Sequence, residues 1–310
     1  MAFYSPDAAM GQRLNALVDL LQHQRPSPDS RSLAITWLRW PLQPQAAASG
    51  DQPRIAVSQE RPAPRGASLH GGQPLDPGAL VALPCLIAVE QWIREDRLQE
   101  DQELRRALGA LVRRGSAEAL SHVLDRLSGT TSGPDLPPER LVAWQRQRQL
   151  LEGWLGSLGW PELEGASAGH RIWLEGPYGR DRQWLEQAGG AGNRLSSDAL
   201  ARLLTAVVEG SLVSPPACGR MRALLRWDLS TATAPQRGVR LWGLEARSGS
   251  GVQRCVYVER EDIPEPQVLV LLAGGSCWTR DPAPLDELVR GLLSWQPQAS
   301  AANTARGVQT

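Results

Sequence analysis

The chain has 310 residues, long enough for one large domain or two small ones. Its 33 basic and 33 acidic side chains balance, so no net charge draws it toward nucleic acid or an anionic membrane. It contains no lysine, which excludes a Schiff-base lysine, a P-loop lysine and any Ser-Lys dyad.

In chain order, Met10, Leu14, Leu17, Val18 and Leu21 recur at three-four spacing and predict an amphipathic helix from about Pro6 to Gln24. Leu33–Trp40, rich in β-branched and aromatic residues, reads as a strand. After a loop from Pro41 to Pro53, the alternation in Arg54–Glu60 predicts a second strand, and Ala67–His70 a short third. Ala79–Ile93 is apolar on every side over its first eleven residues, so it predicts a central buried helix; it is too short and too closely flanked by charge to cross a bilayer.

Asp101–Arg114 and Ser116–Leu127 each carry an apolar helical face, and Pro137 to about Leu158 predicts one long helix. No period holds across the Gly-rich stretch 159–195, which reads as a long functional loop. Ser196 caps a helix through Glu209, and Pro215 opens another through Trp227. Three strands follow, at Val239–Ala246, Val252–Glu259 and Val268–Gly274, then a terminal helix, Pro284–Trp295. Residues 297–310 are expected to be disordered.

Cys85, Cys218, Cys255 and Cys277 form no C-x-x-C pair, and His23, His70, His122 and His170 make no ligand cluster, so neither metal nor cofactor is expected. Met1–Asp7 has neither the basic nor the apolar region of a signal peptide, and a cytoplasmic location is the default expectation. The order of elements predicts an α+β fold: an antiparallel sheet built from both chain ends with flanking helices, plus a central all-helical lobe. The segments are 1–78 and 236–296 for the sheet lobe and 79–235 for the helical lobe.

This order resembles the class A β-lactamase and penicillin-binding serine hydrolase family from about Leu33 to Trp295. The stretch Asn193–Pro216 is similar to the family's Ser-capped helix, short Gly turn and Ser-Pro helix start. The resemblance implies three motifs. At the positions matching S-x-x-K, this chain has Ala79 and Ala82. At S-D-N it has Ser116-Ala117-Glu118, keeping only the serine. The K-T-G motif is matched to the strand Leu241–Ala246, around Gly243 and Leu244, and a lysine-free chain cannot supply it. Glu162, Glu164 and Glu175 are the residues from which the family's water-positioning acid would come. With nucleophile and base both replaced by methyl groups, the resemblance implies the fold and counts against the reaction.

Other patterns have competing explanations. Gly165-Ala-Ser-Ala-Gly matches the G-x-S-x-G elbow with Ser167 as nucleophile and His170 beside it, but no buried strand precedes it, and a loop is the plainer reading. Ser116 with Glu118 suits helix capping. Arg240, Arg247 and Arg254 on the late strands could bind a carboxylate, or be solvated strand edges. Arg105, Arg106, Arg113, Arg114, Arg140, Arg146 and Arg148 read as solvated helix faces rather than a nucleic-acid surface. Cys85 reads as a buried filler, and Trp173 and Trp184 are candidates for exposure in the long loop.

The expected function is therefore a pseudoenzyme that binds a protein partner or a small carboxylate, with Ser116, Arg240 and Arg247 as candidate ligand-binding residues. The alternatives are a hydrolase with relocated machinery at Ser116, Ser167 or Cys85, and an anion-binding module using the strand arginines.

Overall fold

The structure, a computed structural model, describes residues 3–24, 32–41, 63–227, 238–248, 251–263 and 265–296. The expected strand at Arg54–Glu60 and the expected disordered tail lie outside these residues. The chain opens with β1 (Ser5–Pro6), α1 (Ala8–Gln24), β2 (Leu33–Arg39) and β3 (Arg65–Leu69). A 3-10 turn at Gly78–Val81 leads into α2 (Ala82–Arg94), followed by α3 (Gln102–Arg114), α4 (Ala117–Ser128), α5 (Pro138–Arg148) and α6 (Leu150–Ser157). Then come α7 (Gly179–Gln187), α8 (Ser197–Glu209), α9 (Pro215–Leu225), β4 (Val239–Ser248), β5 (Gly251–Arg260), β6 (Gln267–Gly274), α10 (Ser276–Arg280) and α11 (Ala283–Leu293).

The strands form one sheet in the order β1-β3-β2-β6-β5-β4, antiparallel except for the short parallel pairing of Ser5–Pro6 with Arg65–Gly66. Both chain ends thus build the sheet, as the pattern of elements predicts. Its central strands lack polar alternation because both of their faces are covered. On β6, Val268, Val270 and Leu272 face the core shared with the helical lobe, while Leu269, Leu271 and Ala273 face a second core closed by α1 and α11. Strand β2 divides the same way, with Ala34 and Leu38 on one side and Ile35 and Trp37 on the other. Thr36 turns toward the helical lobe, where its hydroxyl meets Ser197 and Asp198 on α8.

Helix α2 is the centre of the larger core: every residue from Ala82 to Glu90 is buried. Burying each large aliphatic side chain there contributes about 1.5–3 kcal/mol relative to leaving it in water. The one acid in this run, Glu90, is held by two nitrogens of the Arg220 guanidinium, so its burial leaves no unpaired charge.

Four expectations are corrected. The long helix expected over Pro137–Leu158 is two helices, α5 and α6, divided at Gln149. The stretch 159–195 is not all loop, because α7 lies within it and Trp184 on α7 is buried against Trp144. The helix begun at Pro215 ends at Leu225, and Arg226 and Trp227 instead run along the free edge of β4. The central helix proper begins at Ala82, with Ala79 in the preceding 3-10 turn.

Candidate functional site

A cleft of about 930 Å³ opens where five pieces of chain converge: the 3-10 turn before α2, the turn joining α3 to α4, the segment after His170, residues 190–194 before α8, and the last residues of β4. Each piece is there for a local reason. The α3–α4 turn needs the left-handed backbone of Gly115, with φ of 60°, which lies so close that a side chain carbon on it would come within 2.9 Å of Ala79 Cβ. The entry to the 3-10 turn is fixed by Asp76, whose carboxylate accepts from the Gly78 N–H at 2.9 Å. The segment after His170 is tied at its base by the reciprocal pairing of Ser167 with Arg194 and by two hydrogen bonds between His170 backbone and the Asn193 amide.

Of the sequence-derived candidates, Ala79, Glu118 and Arg247 line this cleft; Ala82, Ser116, Gly243, Leu244 and Arg240 do not. Ala82 is fully enclosed. The cleft end of β4 is Glu245–Ser248, further along the strand than Gly243 and Leu244. Arg240 instead pairs with Glu259 at 2.5 Å. Arg247 meets Glu245 at 3.2 Å and Asp286 at 3.6 Å, and Arg254 is shared between the same two acids. These three arginines are thus engaged with the chain's own carboxylates.

Ser116 caps α4, accepting from the Ala119 N–H at 3.2 Å while its hydroxyl donates to Glu118 at 2.8 Å. The Glu118 carboxylate is held below its usual range by its own backbone N–H and by that hydroxyl. Glu118 is therefore a charged acceptor and no reservoir of protons near neutrality.

Ser167 donates to one oxygen of Glu152, and that oxygen also accepts two backbone N–H groups, so its lone pairs are occupied. No strand precedes Ser167 and no helix follows it directly, so the elbow geometry is absent there. The His170 ring stacks on Trp184 with centroids 3.7 Å apart. Burial, reinforced by the Arg148 charge, lowers its pKa to about 4, so the ring is neutral at physiological pH. Glu162 is bound to Arg202, and neither it nor Glu164 nor Glu175 lines the cleft. Cys85 is fully buried, and that burial pushes its thiol up to about 12.

Sequence reasoning singled out neither Arg171 nor Leu174, and it assigned Arg114 to a solvated helix face; all three line the cleft. Arg171 bonds Asp125 and lies 3.8 Å from Asp181, beside the wholly buried Arg148, which pairs with Asp125 at 2.8 Å. That network joins α4, α5 and α7, and its partners are too far apart in sequence for spacing to show them. Among the described residues, no group of three or more His, Cys, Asp or Glu side chains is placed to hold a metal ion, and no helix is long and apolar enough to cross a membrane.

No protein-family model matches the sequence, and no curated protein does. Solved structures, however, match along nearly the whole chain. A β-lactamase from Sphaerobacter thermophilus superposes with a TM-score of 0.55 at 11% identity, covering 92% of this chain and 99% of that one. A β-lactamase from Xanthomonas campestris gives 0.56 at 13%, over 92% and 98%. The structure of PBP-A gives 0.54 at 16%, over 93% and 94%. At such identities the likeness establishes the fold alone, and that fold is β-lactamase-like.

Proposed function

We propose that this chain is a non-hydrolysing member of the β-lactamase-like fold, a pseudoenzyme whose cleft serves as a binding site. The observation that carries this reading is Ala79. It lines the cleft at the position matched to the resembled family's attacking hydroxyl, with Ala82 one turn later and no lysine anywhere in the chain. Acyl transfer needs an activated nucleophile and a group to take its proton, and removing both leaves only background catalysis. The serines that could substitute are otherwise engaged: Ser116 caps a helix, and the acceptor oxygen facing Ser167 is already saturated. The cleft itself keeps charged, apolar and backbone groups suited to holding a ligand.

The test is covalent labelling of the purified protein with a fluorophosphonate and with a fluorescent penicillin, alongside nitrocefin turnover. No adduct and no turnover are expected. A stoichiometric adduct on any serine would establish the alternative, a hydrolase with relocated residues.

A further inference from the structure

We infer that the cleft binds a small amphipathic anion, with the charge held by Arg114 on the helical-lobe wall and the apolar body covered by the segment Trp173–Tyr178. This rests on the binding reading above and names the ligand class for the same cleft. The charged groups lining the cleft are almost all engaged. Asp76 holds the Gly78 N–H, Glu118 holds Ser116, and Glu245 holds Arg254 and Arg247. Arg171 is committed to Asp125, and Arg194 donates to the Pro74 carbonyl. Arg114 differs: among the described residues, no hydrogen bond, ion pair or ring contact engages its guanidinium. Arg114 is therefore the charged side chain of the cleft that has no partner among the described residues, and a guanidinium is a planar donor suited to a carboxylate or similar oxyanion.

The uncommitted apolar surface lies at the same opening. Leu174 is 90% exposed and Tyr178 61% exposed, the two most exposed large apolar side chains among the described residues. They stand in one short segment with Trp173, whose ring meets Tyr178 edge-on at 5.9 Å. Ile172, Trp173 and Leu174 line the cleft. Holding an apolar side chain such as Leu174 in water costs free energy that a ligand's apolar body would recover on binding. A purely polar anion leaves this surface wet, and a neutral apolar molecule leaves Arg114 unused.

The experiment titrates the full chain with 2-naphthoate and with its neutral counterpart 2-naphthamide, read by calorimetry and tryptophan fluorescence. Wild type is expected to bind the acid at least about tenfold more tightly than the amide, the worth of one charge-assisted contact. Arg114→Gln should erase that difference, and Leu174→Ser should weaken both ligands several-fold. Both side chains are exposed, so the variants should fold, and circular dichroism verifies it. Three results would overturn the proposal: no binding of the acid by wild type, unchanged preference in Arg114→Gln, or loss of preference on Arg247→Gln instead. Each leaves the labelling result untouched, and labelling of a serine would sink the pseudoenzyme reading without altering these affinities.

Discussion

One carboxylate oxygen of Glu152 on α6 accepts the Ser167 hydroxyl at 2.7 Å, and the same oxygen takes the N–H groups of Ala168 and Gly169 at 3.1 and 3.2 Å. This contact fastens the start of the segment that borders the cleft. Glu152→Ala should cost about 2 kcal/mol of stability, since hydrogen bonds to a charged acceptor are stronger than neutral ones and two backbone donors lose their partner. Glu152→Gln should cost less, because one oxygen remains. Urea unfolding with an unchanged slope measures both, and equal midpoints for Glu152→Ala and wild type would refute the assignment.

The stacked pair His170 and Trp184 gives the helical lobe an acid sensitivity. The His170 pKa is about 4 in the folded chain and about 6.5 when unfolded, so the unfolded state binds more protons between those values. The neutral ring's contribution is fully present above pH 6.5 and is lost as pH falls toward 4. Stability should fall by up to about 3 kcal/mol across that window, to the extent that this one group dominates. The melting temperature of His170→Phe should decline less steeply over the same range, and parallel profiles would rule the role out.

Gly243 sits mid-strand on β4 with φ of 144°, and a side chain carbon there would lie 2.1 Å from the Cys255 carbonyl oxygen. Its own carbonyl accepts from the Trp227 indole at 2.9 Å. Gly243→Ala should therefore cost roughly 2–4 kcal/mol through strain and displaced strand pairing. Thermal or denaturant unfolding reads it, with a neutral effect as the contrary outcome.

Thiol chemistry gives a fourth expectation. Cys85, Cys218 and Cys255 are buried with thiols pushed up by burial, whereas Cys277 is partly exposed. Under native conditions a disulfide-exchange reagent should modify Cys277 alone, and all four after denaturation. Rapid native reaction of Cys85 would mean that the central helix opens.

The fold was legible because its strongest signals are long. An apolar run such as Ala79–Ile93 has few places to go, and the terminal helices and late strands carry clear periods. The misses have physical causes. Gln149 breaks the predicted long helix without proline or glycine to announce it. Helix α7 is short and mostly polar, and it is held by Trp144–Trp184 packing and by Gln183 bonded to Leu136 on both sides, contacts made across the fold. The cleft was half legible. The motif match pointed to Ala79, which lines the cleft, but the pairing of Arg240 with Glu259 and of Arg247 with Asp286 is made across the fold, where spacing cannot reveal it.

The sheet has a consequence for how the polypeptide is made. Strand β2 is buried along its whole length and is paired on both edges, Ile35 with Leu69 of β3 on one side and with Leu271 of β6 on the other. As the nascent chain leaves the ribosome, α2 to α9 emerge long before β6, so the helical lobe can gather while Leu33–Arg39 still presents a bare apolar edge. Translation that stalls before Gln267 should leave that edge open and the product insoluble.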